Sequence, residues 1–102
     1  MTMSKFALFG KLTAAPGKRD ELVALLLEAA KAMETADGCE QYIVHVADGD
    51  PDAVWVSERW RDEAAHAACL KREDVRAAIS AGRPLIAKAE PLKLRALGGH
   101  GM

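Results

Sequence analysis

The chain has 102 residues, with fourteen basic and fifteen acidic side chains and a formal charge of −1. That length suits one domain, and a balanced charge with no basic block excludes a nucleic-acid footprint. The longest strongly apolar run, Leu22 to Leu27, is far too short to span a bilayer, so no membrane partner is expected. Two cysteines without CxxC spacing are too few for a disulfide framework. With no apolar leader at the N-terminus, the expected location is the cytoplasm. A chain of this size buries roughly two-thirds of its unfolded surface, so a second copy would help it.

Lys5 to Leu12 alternates as a strand, with Phe6, Leu8, Gly10 and Leu12 on one face and Ala7, Phe9 and Lys11 on the other. Gly10 is read as a bulge rather than a point of close approach. After the Thr13 to Lys18 loop, Leu22, Leu25, Leu26, Ala29, Ala30 and Met33 recur at helical spacing over about residues 18 to 35. This stripe reads as core. Asp37-Gly38 ends the helix by supplying a residue that accepts positive φ.

Cys39 to Val46 is the second strand, with Tyr42, Val44 and Val46 opposing Gln41, Ile43 and His45. Ala47 to Asp52 is a polar hairpin loop without the spacing of a calcium loop. In Ala53 to Trp60, the third strand, Val54, Val56, Glu58 and Trp60 share a face and Trp55, Ser57 and Arg59 share the other. A carboxylate and an indole two residues apart on an inward face are unusual for plain core. Asp62 is placed to cap a short helix, Ala64 to Leu70, which carries His66 and Cys69. Val75 to Ala81 is another, stopped by Gly82 and Pro84. Pro91 opens the last strand, Leu92 to Leu97, where Leu92, Leu94 and Ala96 oppose Lys93, Arg95 and Leu97.

The order is β-α-β-β-α-β with the second helix split. It predicts an α+β, ferredoxin-like fold: one four-stranded antiparallel sheet with helices on one face. Residues 1–97 form the predicted domain and residues 98–102 a loose tail. The uncovered face would show Phe9, Ile43, Trp55 and Leu97, a patch that asks for a second copy packed sheet to sheet.

Gly38-Cys39 followed by Tyr42, the Asp-Pro turn, and Glu58-Arg59-Trp60 with Glu63-Ala64-Ala65 after it stand in an order that resembles the antibiotic biosynthesis monooxygenase family. The Gly17-Lys18 loop and the Pro91 strand fit too, and the likeness runs from about residue 5 to 97. It implies a homodimeric α+β barrel with a pocket between sheet and helices. Its studied enzymes oxygenate quinols or polycyclic phenols without metal or flavin, so no cofactor is expected. The chain departs from the family in four places, the first being His66, which stands where an apolar or aromatic residue is usual. Cys69 stands where a His is usual, Asp74 replaces a second frequent His, and the chain has no Asn.

Cofactor-free oxygenation needs a base, exclusion of water and stabilisation of developing charge. His66 and Glu58 are the candidates for the proton. A Glu58 desolvated on an inward face would have a raised pKa unless Arg59 or Arg95 reached it. Tyr42 and Trp60 offer flat surface to a small aromatic substrate. Val56, Leu8 and Cys69 complete the predicted binding site. Each has a structural reading: Glu58 as a strand-to-helix anchor, Trp60 and Tyr42 as core, His66 facing solvent, Cys69 as a small apolar group. The three widely spaced histidines make no metal ligand set. The rival function is a non-catalytic small-molecule-binding or stress-associated dimer of the same fold. A third is a haem-binding oxygenase, against which the missing His counts.

Overall fold

The computed structural model describes residues 4–102. Its elements are β1 (Lys5–Ala14), α1 (Arg19–Met33), β2 (Cys39–Ala47), β3 (Asp50–Trp60), α2 (Glu63–Cys69), α3 (Glu73–Gly82), a 3-10 turn (Arg83–Leu85) and β4 (Ile86–Ala96). The strands form one antiparallel sheet in the order β2-β3-β1-β4. That is the predicted ferredoxin-like α+β plan. The sheet of one chain is open at β2 and β4 and is not a closed barrel. No helix among the described residues is long and apolar enough to cross a membrane.

Three local expectations change. The hairpin turn is only Asp48-Gly49, because Asp50–Asp52 continue β3 beyond its last pair with β1, Thr13↔Ala53. Pro51 therefore faces no ladder partner on that side, and the register shift between Val46 and Ala47 absorbs it. Gly10 pairs regularly with Val56 and Pro91, and the irregularity of β1 falls at Thr13/Ala14. Finally, β4 starts at Ile86, with Pro91 in its middle. An edge strand uses only alternate N–H groups, so a proline there costs no ladder bond.

The faces follow from the register. Leu22 of α1 and Val54 and Trp60 of β3 are fully buried between helices and sheet. The core they belong to is divided. One cluster gathers Phe6, Met33, Ala36, Trp60, Ala65 and Cys69, and the other gathers Ala14, Leu22 and Val54 with Leu12 and Ile86 against them. On the opposite face, Phe9 stacks on Trp55 with ring centroids 5.1 Å apart. Lys11 Nζ lies 5.8 Å over the same indole. Phe9 pairs with Leu92 and Ala7 with Leu94, so these two leucines join Ile43 in an exposed apolar face. The expectation that Leu97 belongs to this patch is wrong. It has the parity of Lys93 and Arg95, which pair with Leu8 and Phe6 on the helix side, and it lies past the end of β4.

Gly38 joins α1 to the sheet at a place only glycine fits. Its φ is 83°, and a Cβ there would stand 2.5 Å from the Cβ of Ala65 on α2. Its carbonyl accepts from the Arg61 amide at 2.7 Å, tying the start of β2 to the end of β3. Gly38→Ala combines a left-handed backbone with a steric clash, so it should lower unfolding free energy by about 2 kcal/mol or more. Urea denaturation would measure this, and an unchanged midpoint would contradict the packing described.

Candidate active site

β3 and α2 build the site together. Strand alternation puts Val54, Val56, Glu58 and Trp60 on the helix side. The chain then turns at Asp62, whose extended backbone and side-chain oxygen, 2.8 Å from the Ala65 amide, cap α2. One turn into that helix, His66 faces back toward the strand. It packs against Phe6 with centroids 5.1 Å apart and meets Trp60 edge-on at 5.3 Å.

Trp60 Nε1 donates to Glu58 Oε1 at 3.0 Å. His66 Nε2 stands 4.0 Å from the same oxygen, and both side chains are 17% exposed. At 4.0 Å the two do not hydrogen-bond directly, and an oxygen set to one side of the line between them would contact both at about 2.8 Å. Register places Tyr42 and Leu8 beside Glu58 on the two neighbouring strands.

Among the described residues, no lysine or arginine neutralises Glu58. Arg59 is held by Glu40 at 3.1 Å. Burial pushes the Glu58 carboxyl above the usual carboxylate range, and the Trp60 N–H only partly opposes this. Burial likewise lowers the His66 pKa, against a smaller opposing effect of Glu63. The two groups are therefore shifted toward each other. Tyr42 is held far above the ordinary phenol value by burial and then by the Glu58 charge, so it stays a neutral hydroxyl. Cys69 is buried, its Sγ 3.7 Å from Met33 Sδ. Desolvation raises its thiol more than Arg72 lowers it, and Arg72 is itself engaged by Asp74 at 2.7 Å. That is the environment of an inert thiol.

Between the two core clusters lies a chamber of about 290 Å³. Of the predicted site residues it brings together Tyr42, Glu58, Trp60, His66 and Cys69. Leu8 and Val56 do not line it. They line an adjoining groove of about 180 Å³ with Gly10 and Pro91, which also touches Tyr42 and Glu58. The α1 stripe does more than fill the core: Leu25, Leu26 and Met33 wall the chamber. Sequence reasoning missed these and Ile79 of α3. The available signal was small residues at inward helical positions, Ala29, Ala32 and Ala78, which also face the chamber and leave it open. Among the described residues, no cluster of three or more His, Cys, Asp or Glu is placed to hold a metal ion.

Solved structures share this fold. A protein of Chloroflexus aurantiacus J-10-fl, described as a candidate antibiotic biosynthesis monooxygenase, is 42% identical. The match covers 96% of this chain and 98% of that one, with a TM-score of 0.88. A Pseudomonas aeruginosa protein is 24% identical over 96% of this chain and 99% of its own, with a TM-score of 0.86. One from Deinococcus radiodurans is 24% identical over 95% and 97%, with a TM-score of 0.83. At that identity the last two share the fold alone. No curated protein matches the chain. Residues 6–81 match the antibiotic biosynthesis monooxygenase family, and the chain belongs to that family.

Proposed function

We propose that the chain is a cofactor-independent monooxygenase acting on a quinol-like or other aromatic substrate held in the chamber. The observation that carries this reading is the Glu58–His66 pair, set 4.0 Å apart at one end of an apolar cavity with no cation beside the carboxylate. A volume of about 290 Å³ lies at the low end for small-molecule sites, which favours one or two rings over a larger polycycle.

In this reading the hydroxyl or acidic C–H of the substrate sits on the chamber side of the pair, within reach of both. Glu58 takes its proton as a carboxylate whose raised pKa makes it a stronger base than a surface one. The resulting anion gives an electron to O₂, and the radical pair combines to form a C–O bond. Proton return gives a hydroperoxide, and loss of the remaining C–H proton from the same carbon breaks the O–O bond, releasing water and leaving a new carbonyl. The substrate supplies all the electrons. Neutral His66 donates or accepts the hydrogen bond on the other side of the oxygen, and the apolar walls exclude bulk water. Trp60 and Tyr42 frame the ring.

The working unit of this proposal is a homodimer joined through the face carrying Phe9, Trp55, Leu92 and Leu94, which would close the open sheets into a shared barrel. Both cysteines are unpaired, which suits the cytoplasm. A binding-only role is the second reading. Cys69 favours it, since a buried thiol stands where the family usually carries a His.

Oxygen uptake with reduced naphthoquinols tests the leading reading. Glu58→Gln should cut the rate by about 100-fold or more and His66→Ala should also lower it. The rate should rise with pH through a midpoint above the ordinary carboxylate value of 4.5. Tight quinol binding with no uptake above the spontaneous rate would leave only the binding role.

Burial also predicts a stability signature. Because the folded pKa of Glu58 is raised, the folded state holds the proton more tightly than the unfolded chain. Its relative stability therefore falls as pH rises from the unfolded value through the folded one. Glu58→Gln removes that cost. Its Tm should exceed that of the native chain at about pH 7, with the difference vanishing below about pH 4. Sedimentation at micromolar concentration should give twice the chain mass, and Trp55→Asp should reduce it to one.

A further inference from the structure

The chamber is longer than the Glu58–His66 site. It starts at Glu58, Trp60 and His66 and reaches Leu22, Arg83 and Ile86. The sheet measures its length. Glu58 pairs with Leu8 and Ile86 pairs with Ala14, both on β1, and that stretch of strand spans ~20 Å. A ring at the Glu58 end therefore fills only part of it.

The walls change character along this length. Aromatic and titratable groups stand at one end, Tyr42, Trp60 and His66. Beyond them the walls are aliphatic, with Leu26 from α1 and Ile79 from α3, and Leu25 lies against Gly82 near Ile86. At the far end is Arg83, the first residue after α3. Asp74 also lines the chamber, but its carboxylate is taken by Arg72 through two hydrogen bonds. Arg83 has no acidic partner among the described residues. It is exposed at the mouth, where a guanidinium can turn a planar fork toward whatever leaves the chamber. Arg83 also offsets the negative C-terminal end of α3, which has no basic residue in its last turn. Any cation would do that. The helix role does not require its place on the chamber wall.

We propose that the chamber takes an elongated acidic amphiphile. Its phenolic or enolisable ring sits between Glu58 and His66, its aliphatic chain runs between α1 and α3, and its carboxylate meets Arg83 at the mouth. The proposal rests on the oxygenation reading for the reaction at the ring end and adds the class of substrate.

Calorimetry with a hydroxyphenyl-decanoate, its methyl ester and the short acid hydroxyphenylacetate tests it without turnover. The long acid should bind the native chain about ten-fold more tightly than its ester. Arg83→Ala should weaken the acid to the level of the ester and leave the ester unchanged, while Arg83→Lys should keep part of the preference. The short acid cannot reach both ends, so its affinity should not respond to Arg83. Equal affinity of acid and ester, an acid affinity indifferent to Arg83→Ala, or no binding of either long probe would overturn the proposal. Arg83 is exposed, so Arg83→Ala should lose only its small helix-end contribution and stay folded, and Arg83→Lys, which keeps that charge, should hold the native Tm. The two readings fail separately. Arg83-dependent binding without any oxygen uptake removes the oxygenation reading, whereas uptake on short quinols without Arg83-dependent binding removes this one.

Discussion

The indole of Trp60 is where the sheet, the first helix and the site are joined. It is 1% exposed, packs in one cluster with Phe6, Met33 and Cys69, and presents its edge to His66. Its single polar atom then has one way to be satisfied, and it takes Glu58 as acceptor at 3.0 Å. The consequence runs in both directions. A buried indole N–H is not left orphaned, and a carboxylate is held beneath the helices by a neutral donor. An arginine in that place would have lowered the Glu58 pKa and made it a weak base. An N–H hydrogen bond orients the carboxylate without cancelling the cost of its burial.

That arrangement needs a cavity next to it, and the cavity comes from an interrupted core. Interiors normally close to crystal-like density. Here the cluster around Trp60 and the cluster around Leu22 and Val54 do not merge, because Ala29, Ala32 and Ala78 stand where larger side chains would bridge them. Unfilled apolar volume lowers stability, which is the ordinary cost of a binding site. The fixed points around it are rigid: Asp62 caps α2, and Gly38 lets α2 sit against the start of β2. Both devices place His66 rather than merely terminate helices.

The two faces of the sheet divide the chemistry. The inner face carries the titratable pair and the chamber. The outer face carries Phe9 stacked on Trp55 with Leu92 and Leu94 beside them, and a hydrogen-bond contact between His45 Nε2 and Ser57 Oγ at 3.0 Å. Trp55 and Trp60 thus belong to different surfaces although they are five residues apart, one on the open face and one in the core.

The sequence alone determined the order of elements, the inward parity of Glu58 and Trp60, and the cap at Asp62, because these follow from periods of two and 3.6 residues and from local hydrogen bonding. It also carried the family resemblance that residues 6–81 bear out. It misplaced what depends on neighbours far along the chain. Pro91 is a strand start by local rule, yet the edge position of β4 lets the strand begin at Ile86. Leu97 joined the wrong face because only the pairing of β4 with β1 decides which parity of β4 points outward, and it is that of Leu92 and Leu94. Leu8 and Val56 have the right parity for the site but lie along the groove beside it. Only tertiary structure decided that Arg59 pairs with Glu40 and leaves Glu58 without a cation. It alone separated the two core clusters and opened the space between them, because a void is a property of what fails to meet, and no single stretch of chain records that.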